Sequence, residues 1–297
     1  MRNHVSQSRF QVWLQASRPK TLFAAVSPVM IGATAAYVDG GFHLLSAIAA
    51  AIGALLIQVG TNFANDYFDF RKGTDSGERL GPVRATQAGL VSPETMKRAT
   101  ALAFGLALLV GAYLVWRGGW PVVAIGLFSI LFGVLYTGGP YPLAYHGLGD
   151  IFVLIFFGPV AVAGTYYVQT LTVTMPVIIA GLAPGFLSVA ILTVNNLRDI
   201  EGDRIAGKKT LAVRFGRRFA VTEYVFCILA ALFIPDVLVL WWDMTPYLLI
   251  STGALFLALP AIGQIRHIKG AALNNTLAAT GRLLFVYCLL LSIGWLL

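Results

Sequence analysis

The sequence predicts an all-α, polytopic membrane protein: nine spanning helices bundled as a single integral-membrane domain over residues 1–297. Three observations carry this. The chain is 58% hydrophobic and 11% charged, with a mean hydropathy of +0.77, whereas soluble domains carry about a quarter charged residues. The apolar residues fall in nine runs near the length of about 20 that a helix needs to cross a bilayer. Of the 21 Lys and Arg, all but Arg117 and Arg282 fall before the first run or in and beside alternate connections.

In order, the runs are 21–38, 44–65, 96–116, 120–137, 148–168, 174–196, 219–241, 246–265 and 273–296. The first has a basic start and an Ala33-x-Ala35 ending, as a signal peptide would. Its long basic lead-in favours a retained span. Short turns at "DGG" (39–41), "RGGWP" (117–121) and "DMTP" (243–246) carry helix breakers. Two connections, 66–95 and 197–218, are longer and highly charged. Basic residues accumulate on the cytoplasmic side of membrane proteins. The N-terminus and both long connections are therefore expected in the cytoplasm and the C-terminus outside, in a cytoplasmic (inner) membrane. The formal charge of +8 then reflects topology, and nucleic acid is not an expected partner. Cys227 and Cys288 lie within apolar runs and read as small core residues.

The two long connections share a pattern. One begins "NFANDYFDFRKGTD" at Asn62, the other "NNLRDIEGDRIAGKKT" at Asn195, each where an apolar run ends. Asn62, Asp66 and Asp69 are spaced i, i+4, i+7, and Asn196, Asp199 and Asp203 i, i+3, i+7, so each set shares one helix face. Basic residues follow both: Arg71 and Lys72, then Arg204, Lys208 and Lys209. Two facing carboxylate clusters repel unless cations lie between them. Mg2+ suits such oxygen ligands, usually taking one or two carboxylates plus substrate phosphate. Lys and Arg supply charge-assisted donors to phosphate oxygens. A solvated, charge-balanced loop would explain one such segment; two matched acid faces on one membrane side favour a shared site. A P-loop fits less well: "GDRIAGKK" ends in Lys209 where Ser or Thr is required, and no strand precedes it.

At these residues the chain resembles the UbiA superfamily of intramembrane aromatic prenyltransferases. "ASRPKTL" at 16–22 is similar to the family's first-helix motif, "NDYFD" at 65–69 to its first Asp motif, and "NNLRDIEGDRIAGKKTLAVRFG" at 195–216 to its second. The likeness spans nearly the whole chain. Many members place a third Asp four residues after the second. Here that position is Gly73, and the acid follows at Asp75. That spacing, with "GPVRATQAGLVSP" at 81–93 and "YTGGPYPLAYHGLGD" at 136–150, resembles the naphthoate branch, whose members act in menaquinone biosynthesis.

The resemblance implies Mg2+-dependent transfer of a polyprenyl group from polyprenyl diphosphate to an aromatic acceptor, here 1,4-dihydroxy-2-naphthoate, within the lipid bilayer. It implies Asp66, Asp69, Asp199 and Asp203 as catalytic, metal-linked acids, with Asp75 as a further metal ligand. Arg18, Lys72, Arg84, Lys208 and Lys209 are the expected diphosphate contacts. Asn62, Asn65, Tyr67, Tyr136, Tyr141, His146 and Asp150 are the expected substrate pocket, although the aromatics could equally be packing and Asp150 a helix N-terminal acid. The prenyl tail is expected to leave sideways between helices. Other aromatic acceptors, such as 4-hydroxybenzoate or homogentisate, are the alternative within this class. A transporter with acidic cytoplasmic sites is the alternative outside it, although transporters place such groups nearer the midplane.

Overall fold

The computed structural model describes residues 8–73, 80, 81 and 83–297. Asp75, an expected metal ligand, lies outside the described residues. No strand occurs among the described residues, and every apolar run is helical. A short amphipathic helix, α1 (Arg9–Ala16), precedes the first span, α2 (Pro19–Val38). Then come α3 (Leu44–Arg71), α4 (Pro93–Gly118) and α5 (Trp120–Leu135). The fifth run is broken into α6 (Gly149–Phe156) and α7 (Pro159–Thr170). After it come α8 (Met175–Arg198), the short α9 (Ile200–Ile205), α10 (Leu211–Trp242), α11 (Leu255–His267) and α12 (Leu273–Leu296).

Nine spans is the approximate count. Among the described residues eight segments are long and apolar enough to cross a bilayer, and the 16-residue α5 occupies the remaining place. The expected boundaries need three corrections. α3 runs on to Arg71, so the first acidic motif is the last turns of a spanning helix. The fifth span breaks at Gly158, because Pro159 cannot donate a backbone hydrogen bond to the preceding turn. The eighth begins as a 3-10 segment, Pro246–Ala254, before α11. α10 is also kinked at Gly216, whose φ of 80° suits glycine.

α8 is the most buried span and the axis of the bundle. Its Ala and Gly face lets neighbours approach closely. At Gly181 a Cβ would stand 2.7 Å from Pro159 Cα, and at Gly158 a Cβ would stand 2.7 Å from the Gly181 carbonyl oxygen. The α6–α7 break is thus held backbone to backbone against α8. The main core joins α2, α7, α8, α10 and α12 around Tyr224, Leu187 and Tyr287, all essentially inaccessible. α3, α4 and α5 pack beside it and leave an internal space.

The ends of the bundle differ in character. One gathers the 80–91 turn, the 136–148 loop, α9 and the start of α12. There the Asn274 amide donates to the Leu80 carbonyl, and the Lys209 backbone N–H donates to the Tyr145 carbonyl. The other end gathers the α2–α3, α4–α5 and α7–α8 turns.

Candidate active site

α3 and α8 bring both acidic motifs to the same end of the bundle. Lys208 Nζ lies 3.5 Å from Asp69 Oδ1 and 3.8 Å from Asp203 Oδ1. One lysine of the second motif therefore links an acid of each. Arg84, from the turn after α3, donates to Asp69 Oδ2 at 2.5 Å. Arg198 binds its neighbour Asp199 through Nε and one terminal nitrogen, and also donates to Asn195 and Asn274. The protein's own cations thus offset part of the repulsion between these acids.

All of these residues but Arg198 and Asn274 rim one cavity of about 940 Å³. Its mouth is lined by Arg18, Asn62, Asn65 and Asp69 on one side and by Asn195, Asn196, Asp199, Asp203 and Lys208 on the other, with Arg84 between. Below the mouth the lining is predominantly apolar, drawn from α3, α4, α5, α6 and α7. Tyr136 faces this space beneath the mouth, its hydroxyl beside the bare Cα of Gly149. Burial and the surrounding carboxylates, Asp150 foremost, push the Tyr136 phenol well above its ordinary range. It stays a neutral hydrogen-bond donor.

Arg18 joins α1 to α2 in the left-handed region, with φ 53° and ψ 68°. A non-glycine residue there is uncommon, and such strain collects at functional sites. Its turn is held by Thr21, which donates to the Arg18 carbonyl, and by Asn62, whose amide donates to the Ser17 carbonyl at 2.9 Å. Asn65 accepts from Thr137 at 2.8 Å and so fixes α3 against the 136–148 loop.

Several expected residues stand behind the cavity wall. Asp66 does not line it: its carboxylate accepts from the Ala85 and Thr86 backbone N–H groups at 2.9 and 3.2 Å, anchoring the turn that carries Arg84. Tyr67 packs with Trp13 and Phe63 on the outer side of α3. Tyr141 is exposed and stacks on His146 at 3.6 Å between ring centroids. Lys209 is exposed and holds the loop through its backbone. Asp150 is buried at the start of α6, with Oδ1 lacking a hydrogen-bond partner, and stands outside the lining. Lys72 also stands beside the cavity, donating to the Thr137 carbonyl at 2.6 Å. Desolvation lowers its pKa from the ordinary lysine value; Asp69 opposes that shift and Lys208 adds to it.

Sequence reasoning missed Tyr145 and Arg198 as site residues. The Tyr145 hydroxyl donates to Asp69 Oδ1 at 3.2 Å. Its ring carries Lys72 at 4.4 Å and Lys208 at 5.1 Å, so one aromatic face steadies two cations. The available signal was only its place in the "YTGGPYPLAYHGLGD" segment. Arg198 was visible as an Arg beside Asp199, without its reach to Asn274.

The donor set tests the expected metal. The mouth offers carboxylate and amide oxygens and neither His nor Cys, the preference of a hard cation. Among the described residues no three acids, His or Cys stand ready to hold a metal ion alone. Mg2+ fits that arrangement, because it commonly takes few protein ligands and completes its shell with phosphate oxygens and water.

A helical membrane bundle with this cavity has the fold of the intramembrane prenyltransferases. The structure of a UbiA homologue from Archaeoglobus fulgidus bound to GPP and Mg2+ matches with a TM-score of 0.68 at 14% identity, covering 96% of this chain and 100% of that one. The model of the UbiA prenyltransferase family matches residues 25–289, and the chain belongs to that family. Among its relatives, the 1,4-dihydroxy-2-naphthoate octaprenyltransferase of Escherichia coli (strain K12) is 42% identical over 215 residues, 70% of each chain. The protein so named from Mycobacterium tuberculosis (strain ATCC 25618 / H37Rv) is 37% identical over 282 residues, 94% of this chain and 95% of that one.

Proposed function

We propose that this membrane enzyme transfers a polyprenyl group from polyprenyl diphosphate to 1,4-dihydroxy-2-naphthoate, with loss of CO2, giving demethylmenaquinol. The carrying observation is the single cavity that joins both acidic motifs and their cations to an apolar chamber. The relatives named as octaprenyltransferases for this acceptor support the choice of donor and acceptor. Asp69, Asp199 and Asp203 hold the metal-bound diphosphate, with Asp75 as a further ligand, while Arg18, Arg84 and Lys208 meet its oxygens. Asp66 acts through the turn that carries Arg84, and Lys72 through Tyr145 and Asp69. Mg2+, when bound, supplies positive charge to the diphosphate as the carbon–oxygen bond breaks.

The leaving diphosphate keeps the electron pair of that bond. The mouth's cations stabilise this charge where it develops, and the apolar chamber keeps water from the allylic carbon. The ring carbon bearing the carboxylate bonds to that carbon as the adjacent hydroxyl gives up its proton. This makes a β-keto carboxylate. Loss of CO2 leaves an enolate, which takes a proton to restore the ring hydroxyl. No net proton is consumed, and no decarboxylation cofactor is required. Tyr136, held neutral, donates a hydrogen bond to the acceptor at the cavity wall.

The basic asymmetry supports a cytoplasmic mouth in the inner membrane. The test of the reaction uses carboxyl-labelled dihydroxynaphthoate and one polyprenyl diphosphate. One labelled CO2 is expected per prenyl group transferred. Label retained in the prenylated product would overturn the decarboxylative route. Turnover of 4-hydroxybenzoate in place of this acceptor would move the protein to another branch.

A further inference from the structure

The end of the bundle opposite the acidic mouth carries a second cavity, of about 440 Å³. That lies within the usual range of ligand pockets, about 300–1,000 Å³. Its lining is predominantly polar. It comes from the α2–α3 turn (39–43), from Arg117 at the end of α4, and from Tyr166, Gln169, Thr170 and Thr172 around the end of α7. No residue lines both this cavity and the one at the acidic mouth.

The walls are tied together. The His43 backbone N–H donates to the side chain of buried Gln169 at 3.3 Å, and the Gln169 amide donates to the Thr165 carbonyl at 2.9 Å. At Gly41 a Cβ would stand 2.6 Å from the Thr170 side chain, so the α2–α3 turn lies directly against the end of α7. The hydroxyl of buried Tyr166 donates to Asp39 Oδ2 at 2.6 Å and fixes that carboxylate.

Arg117 is one of the two basic residues that break the charge asymmetry of the sequence. Its Nε and one terminal nitrogen donate to the Val168 and Gln169 carbonyls at 3.3 and 3.2 Å. Capping the end of α7 accounts for those two nitrogens. The other terminal nitrogen has no hydrogen-bond partner among the described residues, and neither has Asp39 Oδ1. Arg117 and Asp39 line the same cavity, yet neither forms an ion pair with the other or with any further group among the described residues. Tyr37 and Phe42 meet edge to face on either side of Asp39 in sequence, and Trp116 and Trp120 flank Arg117; all four are exposed. Exposed aromatic rings at the end of a span mark the headgroup level of a bilayer.

We infer that this cavity binds a phosphate ester that also carries a primary ammonium, as the headgroup of a phospholipid in the leaflet opposite the mouth, with the phosphate on Arg117 and the ammonium on Asp39. The fixed fork of arginine N–H donors suits phosphate oxygens, and a primary ammonium brings three donors to a carboxylate. One cation and one acid that do not pair with each other match a zwitterion. A simple anion would meet Arg117 but be repelled by Asp39. Neither residue touches the acidic mouth, so the site stands independently of prenyltransfer.

The experiment measures what the purified protein retains in native mass spectrometry, with dioleoyl phosphatidylethanolamine, dioleoyl phosphatidylglycerol and soluble O-phosphoethanolamine as probes. The wild type should retain the ethanolamine lipid about tenfold more than the glycerol lipid, which lacks the ammonium and its charge-assisted bonds to Asp39. Asp39→Asn keeps an oxygen for Tyr166 and removes only the charge. It should leave the lipid-free melting temperature unchanged and lower retention of the ethanolamine lipid by about tenfold. Arg117→Gln should lower retention of both lipids. Equal retention of the two lipids by the wild type, or undiminished retention of the ethanolamine lipid by Asp39→Asn, overturns the zwitterion site. Soluble O-phosphoethanolamine retained as strongly as the lipid overturns the phospholipid as its occupant.

Discussion

Lys208 of the second acidic motif lies 3.5 Å from Asp69 of the first. Asp69 is buried and Lys208 half-buried at the mouth, and the contact joins the last turns of α3 to the loop that follows α9. Since Lys208 also approaches Asp203 at 3.8 Å, it sets the distance between the two motifs as well as offering charge to a diphosphate. Lys208→Met should lower kcat/KM for prenyl diphosphate by about 10²–10³, the usual effect of removing a transition-state charge partner. Lys208→Arg should recover part of it. Steady-state kinetics at saturating acceptor decide this, and wild-type rates in Lys208→Met would remove the lysine from the site.

Asp66 and Asp203 should fail differently. Asp66 holds two backbone N–H groups of the Arg84 turn, and an asparagine can pair only one of them with its single carbonyl oxygen. Leaving a buried donor unpaired costs about 1–3 kcal/mol. Asp66→Asn should therefore lower the melting temperature as well as activity. Asp203→Asn, at a half-buried position on the largely exposed α9, should lower activity with the melting temperature nearly unchanged. Equal melting temperatures for Asp66→Asn and the wild type would contradict the anchoring role.

This contrast marks where sequence reading stopped. Hydropathy located every span, because crossing a bilayer imposes length and apolarity on each segment separately. Helical spacing likewise put Asn62, Asp66 and Asp69 on one broad face. It did not divide that face. Asn62, Asn65 and Asp69 look into the cavity, while Asp66 lies at the margin where the 84–86 turn covers it. That turn is distant in sequence and has no periodicity. Tyr145 was obscured for the same reason: its role depends on Lys72 and Lys208 arriving from different elements. The break in the fifth span was legible as Gly158-Pro159, but the apolar run concealed it.

Lys72 gives a pH signature. Burial lowers its pKa, so its ammonium loses its proton at lower pH than an ordinary lysine. Activity that depends on this charge is full at low and neutral pH and falls as pH rises through the lowered value. The alkaline limb of kcat/KM should accordingly lie below the normal lysine range. Arginine keeps its charge throughout, so Lys72→Arg should move the limb to higher pH. An unmoved limb would assign it to another group. Tyr136, shifted upward, does not supply it.

The topology can be read by labelling. A cysteine at Gly207, in the exposed turn after α9, should react from the cytoplasmic side, and one at Gly119, between α4 and α5, from the opposite side. Cys227 and Cys288 are buried and provide a quiet background. Reaction of both new cysteines from the same side would break the alternation that places the two acidic motifs together.

Metal removal tests the oxygen-rich mouth through binding as well as rate. Chelation should stop turnover, and added Mg2+ should restore it. The more specific expectation concerns inorganic diphosphate. Among the described residues the mouth has too few converging acids to hold a metal ion alone, and its acids oppose a bare anion. Mg2+ and diphosphate should therefore bind together. Each alone should shift the melting temperature little, and the pair should raise it, by the linkage that stabilises any folded state binding a ligand. Asp203→Asn should abolish the joint shift while leaving the ligand-free melting temperature near that of the wild type. Diphosphate that stabilises equally with and without Mg2+ would mean that Arg18, Arg84 and Lys208 bind it unaided, and the carboxylates would then need a role other than holding the ion.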